Sequence, residues 1–179
     1  MSESATRPTL HRPLVAFCDG SYNPVTRFGG WCYQLLVDGR KVMRSGACEG
    51  EAPTDFEVLA AVRVLEGTSS EKPLVIKSDC MALVSTAQRL CAGGSLRVKK
   101  MRAALKALYL RLAELLKDRL VTFQWVRGHS GVLGNVDVDR GAKSSMRHAS
   151  QAWEKRLEFR YHERTNETGP WCRNAVLGG

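Results

Sequence analysis

The sequence predicts one α/β domain built on a mixed β-sheet. Three observations carry that expectation. Leu14–Ser21, read Leu-Val-Ala-Phe-Cys-Asp-Gly-Ser, is an apolar run of strand length, as a central strand buried on both faces requires. Two further strand-like runs follow with a hairpin signal between them. Helix and strand patterns then alternate, which implies a parallel crossover, right-handed almost always. At 179 residues one domain with a full hydrophobic core is the economical reading.

Residues 1–13 read as a flexible arm, with Pro8, Pro13 and no periodicity. After the first strand, Tyr22–Phe28 is a turn containing Asn23-Pro24, followed by Gly29-Gly30. Trp31–Val37 is a second strand, Asp38-Gly39 a two-residue hairpin turn. Lys41–Cys48 returns as a third strand, less apolar and therefore at an edge, completing an antiparallel meander. Pro53–Glu66 is helical, with Val58, Leu59, Val62 and Leu65 as its apolar stripe and Thr54 or Asp55 as cap. Pro73 leads into Leu74-Val75-Ile76, a short buried strand that ends in Lys77-Ser78-Asp79.

Met81–Cys91 is a second helix, stopped by Gly93-Gly94. Val98–Lys117 is a third, with Met101, Leu105, Leu108, Leu112 and Leu115 on one face and Lys99, Arg102 and Lys106 on another. Leu120–Val126 is the last strand, and Arg127-Gly128-His129-Ser130-Gly131 a loop. Asn135–Met146 starts a final helix; Gln151–Tyr161 reads as a separate short one before a polar tail. The domain is thus expected over 14–147, with 148–179 as a C-terminal extension. Trp31 and Trp125 are assigned to the core.

Hydrophobic content of 44% and charged content of 25% are those of a globular protein. No apolar run approaches the roughly 18 residues a bilayer span needs, and polar Met1–Arg12 lacks the core of a signal peptide. The six cysteines include no Cys-x-x-Cys pair, which argues against zinc and suits reduced thiols in the cytoplasm. The net charge is +9, and Ala87–Arg119 holds nine cations against two anions. That concentration points to a polyanionic partner.

Four carboxylates occupy comparable places. Asp19 and Asp79 end successive parallel strands, while Glu57 and Asp139 sit on helices. Ligands of open α/β sheets bind outside the carboxyl ends of the strands. Carboxylates gathered there repel one another and need divalent cations to stay charged together. Oxygen ligands without thiols or paired histidines favour Mg²⁺ or Mn²⁺. Glu49, Glu51 and Asp55 are rivals of Glu57, whose spacing from the apolar stripe favours it.

Asp-Gly-Ser with Gly-Gly ten residues on, a glutamate in the next helix, Ser-Asp after a strand, and Trp-Val-Arg-Gly-His-Ser-Gly…Asn…Asp together resemble type 1 ribonuclease H from about Leu14 to Lys143. The resemblance implies a ribonuclease H-like sheet of five strands in order 3-2-1-4-5, with the second strand antiparallel to the rest. It implies Asp19, Glu57, Asp79 and Asp139 as catalytic, metal-binding carboxylates and His129 as a catalytic histidine that moves a proton or releases product. The implied activity is hydrolysis of the RNA strand of RNA–DNA hybrids by a monomer with two Mg²⁺ ions, Mn²⁺ substituting, leaving 5′-phosphate and 3′-hydroxyl ends.

Nucleic-acid contacts are expected from Ser21, Asn23, Thr54 and Asn135. The basic segment, similar to the family's hybrid-binding handle, would add Arg97, Lys99, Lys100, Arg102 and Lys106. Where relatives carry paired asparagines before the helix glutamate this chain has Pro53-Thr54, and Met81 stands where glutamine is usual. These departures motivate two rivals: a structure-selective DNA nuclease or resolvase on the same fold, and an inactive hybrid-binding module.

Overall fold

The computed structural model describes residues 12–128 and 130–167. The predicted arm up to residue 11, His129 and the tail beyond residue 167 lie outside them. Five strands, β1 (Leu14–Tyr22), β2 (Phe28–Val37), β3 (Arg40–Glu49), β4 (Leu74–Ser78) and β5 (Val121–Trp125), form one sheet in the order β3-β2-β1-β4-β5. β2 is antiparallel to both β1 and β3, and β4 is parallel to β1 and β5. The expected fold and strand order are therefore present. The hairpin signal is met as well: Asp38 and Gly39 both have positive φ, 47° and 77°, as the favoured two-residue turns demand.

Strand alternation divides the core. Ala16 and Cys18 of β1 face a large cluster with Val58, Ala61 and Leu65 of α1 (Pro53–Glu66), Leu83 and Ala87 of α2 (Met81–Cys91) and Leu112 of α3 (Ala103–Leu116). Phe17 faces the other way, into a smaller cluster with Cys32 and with Val138 and Ala142 of α4 (Leu133–Glu167). Asp19, next in that alternation, is buried and lies within β1, which runs on to Tyr22 and does not end at Asp19 as expected. The helix starting at Pro53 has no side-chain acceptor at Ala52; Asp55 Oδ2 instead accepts the amides of Glu51 and Ala52 at 3.2 and 3.1 Å.

Three expectations are corrected. α3 begins at Ala103, not Val98, and residues 94–102 are loop and turn. Arg102, the residue capping α3, has extended backbone (φ −59°, ψ 151°), and its guanidinium pairs with Asp55 of α1 and with Glu51, two residues before that helix. Lys99, Arg102 and Lys106 therefore form no helical stripe. Second, the last two helices are one, α4, since nothing between Ala142 and Glu167 is glycine or proline. The expected boundary at 147/148 falls inside it, and Ser150 beyond that point shares a buried 2.7 Å hydroxyl hydrogen bond with Thr26. Third, Trp125 is 46% exposed, because β5 is a sheet edge; Trp31 does pack on the core, stacked on Tyr33 beneath Arg63.

Among the described residues five free cysteines divide into buried Cys18 and Cys32, half-buried Cys80 and exposed Cys48 and Cys91. Among the described residues no helix is long and apolar enough to cross a membrane.

Arg119 fastens the far end of α1. Its guanidinium donates to the carbonyls of Leu65, Thr68 and Ser69 and to the Thr68 hydroxyl at 2.7–3.1 Å, satisfying carbonyls that a helix end leaves open. Arg119→Ala is expected to cost about 1–3 kcal/mol, read as a lower urea midpoint at unchanged m-value. An unchanged midpoint would show that water replaces these bonds without loss.

Candidate active site

The three elements that meet at the sheet's carboxyl end each deliver one acid. β1 carries Asp19, β4 is followed by Asp79, and α1 carries Glu57. Contact between α1 and β1 is close because residue 20 is glycine. A Cβ there would lie 2.4 Å from the Glu57 nitrogen and the Phe56 carbonyl carbon. Gly128 does the same for the loop after β5, where a Cβ would stand 2.9 Å from Asp79 Oδ2.

Asp19, Glu57 and Asp79 each place a carboxylate oxygen within 4.8 Å of the others. Asp19 is only 5% exposed, and burial, then the neighbouring Asp79 and Asp139 charges, pushes its carboxyl up to about 7. Burial followed by the Asp19 and Asp79 charges pushes Glu57 up to about 9. Glu57 Oε2 is buried with no hydrogen-bond partner. A polar atom so placed is costly unless something else satisfies it. Clustered oxygen donors, an orphaned carboxylate oxygen and acids held partly protonated together fit a divalent cation, which supplies the missing charge.

Asp79 is held on several sides. Its Oδ2 accepts from Asn135 Nδ2 at 2.9 Å, and its carbonyl accepts from Trp125 Nε1 at 3.0 Å. Asn135 is buried, and its own Oδ1 has no partner. Asp139, one turn further along α4, stands outside the group of three. Lys143 Nζ lies 2.7 and 2.8 Å from its two oxygens.

Of the expected nucleic-acid contacts, Asn135 sits in the acidic site, and Thr54 is half-buried at the start of α1. Ser21 Oγ donates to Met146 Sδ at 3.4 Å. Asn23 Oδ1 accepts from the Val25 and Thr26 amides and so shapes its own turn. Arg97, Lys99 and Lys100 are exposed in the loop before α3, and Lys106 is exposed on α3. Arg102 is instead bound to Asp55 and Glu51. Neighbouring carboxylates therefore share its charge.

Sequence reasoning missed two residues. Lys143 had a usable signal, its i,i+4 spacing from Asp139. Trp125 had none, since strand periodicity does not report where a sheet edge exposes its last residue.

A family model described as RNase H matches residues 11–147. The chain is 27% identical over 142 residues to a ribonuclease H of Francisella philomiragia, covering 77% of this chain and 93% of that one. It is 30% identical over 133 residues to a ribonuclease H of Syntrophus aciditrophicus, covering 72% and 77%. Among solved structures, the N-terminal ribonuclease H domain of a Mycobacterium tuberculosis protein, determined as a fusion with maltose binding protein, superposes with a TM-score of 0.62. That alignment covers 78% of this chain and 97% of the other at 16% identity. Fold, acidic site and sequence kinship agree: the chain belongs to the ribonuclease H family.

Proposed function

We propose that this enzyme hydrolyses the RNA strand of RNA–DNA hybrids, acting as a cytoplasmic monomer with two Mg²⁺ ions and leaving 5′-phosphate and 3′-hydroxyl ends. The observation that carries the proposal is the clustered trio of buried Asp19 and half-buried Glu57 and Asp79, with its orphaned Glu57 oxygen. The exposed cations Arg97, Lys99 and Lys100 add attraction for a phosphate backbone.

Asp19, Glu57, Asp79 and Asp139 would hold the ions, with Mn²⁺ able to replace Mg²⁺. Such ions, when bound, activate a water and stabilise the leaving oxygen of a phosphodiester. The chain's own part is positioning. Asn135 and Trp125 fix Asp79, and the Gly20 contact fixes Glu57 relative to Asp19. Asp19 and Glu57 give up the protons that burial makes them keep, so loading the site releases protons. His129, outside the described residues, is proposed to carry a proton or help product leave.

Cleavage of an end-labelled RNA–DNA hybrid with Mg²⁺, beside duplex RNA, duplex DNA and branched DNA, tests the reading. Hybrid-only cleavage, lost on chelation and in Asp79→Asn, is the expected result. Binding without cleavage, or cleavage of branched DNA alone, would reject it.

Lys143 enters as an internal competitor. Its ammonium already neutralises Asp139, so a cation using Asp139 must displace or share it. Lys143→Met is expected to tighten Mg²⁺ or Mn²⁺ binding by roughly threefold to tenfold, about the Coulombic worth of one partly exposed charge, as read by calorimetry without substrate. Weaker binding would show instead that Lys143 holds Asp139 in its ligating position.

A further inference from the structure

The bond network around Asp55 has no part in the chemistry above, yet it joins the basic loop before α3 to the helix that bears Glu57. Asp55 is 5% exposed and stands two residues before Glu57. Arg102 Nη2 donates to its Oδ1 at 2.6 Å and Arg102 Nη1 to its Oδ2 at 3.0 Å. The same Nη1 donates to Glu51 Oε2 at 2.9 Å. Two backbone amides complete the set on Asp55 Oδ2. Few side chains in the protein are so fully engaged.

What this clamp holds is the basic loop. Residues 94–102 have no regular structure, but Leu96 and Met101 pack on the core and Arg102 is clamped. Between these anchors Arg97, Lys99 and Lys100 project, and none of the three pairs with a carboxylate among the described residues. A loop fixed before the partner arrives pays less ordering entropy on binding. Cations fixed in register displace counterions from a set run of phosphates.

We propose that Arg102 and Asp55 are positioning residues, a latch that registers the cationic loop against the helix bearing Glu57 and so sets how firmly a hybrid is held, not how fast it is cut. The inference rests on the hybrid-cleavage reading above. It also assigns Arg102 a role opposite to direct phosphate contact, and the two roles separate cleanly. Arg102→Gln breaks the latch and removes a charge. Asp55→Asn weakens the latch but keeps the Arg102 charge, with Glu51 as its remaining carboxylate partner.

Steady-state cleavage of an RNA–DNA hybrid with Mg²⁺ would be measured for the wild type and both variants, with thermal melts to verify folding. Arg102→Gln leaves Asp55 its two amide bonds, so the start of α1 stays capped in at least that variant. Both variants are expected to raise KM roughly five- to tenfold, with kcat within about twofold of wild type. Arg102→Lys, which keeps the charge but not the two-pronged geometry, should fall between. A raised KM in Arg102→Gln with an unchanged or lowered KM in Asp55→Asn would overturn the latch and make Arg102 a phosphate contact. A fall in kcat at constant KM would overturn it too, leaving only a support for Glu57. Wild type that cleaves no hybrid would instead reject the function reading, an outcome distinct from active but indifferent variants.

Discussion

Asp19→Asn is expected to abolish hybrid cleavage and at the same time raise the melting temperature of the metal-free protein at pH 8. The two effects have one cause. Asp19 is buried beside Glu57 and Asp79, and burial, then the Asp79 and Asp139 charges, lifts its carboxyl to about 7. A carboxyl raised above its unfolded value of 3.8 is protonated more in the folded state than in the unfolded one. Stability then falls as pH rises between the two values. Glu57, raised from 4.5 to about 9, extends the decline, so the metal-free fold loses stability from about pH 4 to about pH 9. Asparagine removes one buried charge, for a gain of about 1–3 kcal/mol at pH 8, or roughly 2–4 °C per kcal/mol in a chain this size. Activity moves the other way. Losing an ion ligand costs several kcal/mol of transition-state stabilisation, about a thousandfold or more in rate. Melting curves at pH 5 and pH 8, with and without Mg²⁺, check the linkage: Mg²⁺ should raise the wild-type midpoint more at pH 8. A metal-free variant that melts below wild type at pH 8 would refute the account.

The parts of the fold legible in the sequence are those decided locally. The Asp38-Gly39 turn, the Pro53–Glu66 and Met81–Cys91 helices and the buried strand ending at Asp79 each follow from neighbours in the chain. What was not legible depends on distant partners. At the start of α3, Arg102 has extended backbone and pairs with Asp55, 47 residues away. Continuity of α4 past residue 147 was open to reading from the absence of glycine and proline there. In the site, Asp19, Glu57 and Asp79 were legible because strand ends and helix spacing bring them to one edge. Glu51 and Asp55, its rivals, proved to be partners of Arg102. Position alone aligned Asp139 with them, but its side chain also had Lys143 within reach.

Gly20→Ala is expected to separate packing from charge at the same site. The added methyl would meet backbone atoms of Phe56 and Glu57 at 2.4 Å, not the far end of a flexible side chain, so α1 itself must move. Overpacking of this kind costs about 1–3 kcal/mol. A shift of about 1 Å at a reacting centre costs on the order of 100-fold in rate. Phe56 gives the helix little room to slide, since it is 1% exposed and stacks on Tyr22. The fitting control is Gly39→Ala, where φ is +77° and nothing lies within 4 Å. That change strains a turn at the opposite end of the hairpin and should cost about 1 kcal/mol with kcat intact. If the two variants lost similar stability and both kept wild-type kcat, Glu57 would not depend on the Gly20 contact for its place. Loss of kcat in Gly20→Ala alone would show that catalysis depends on the missing side chain next to Asp19 as well as on the carboxylate itself.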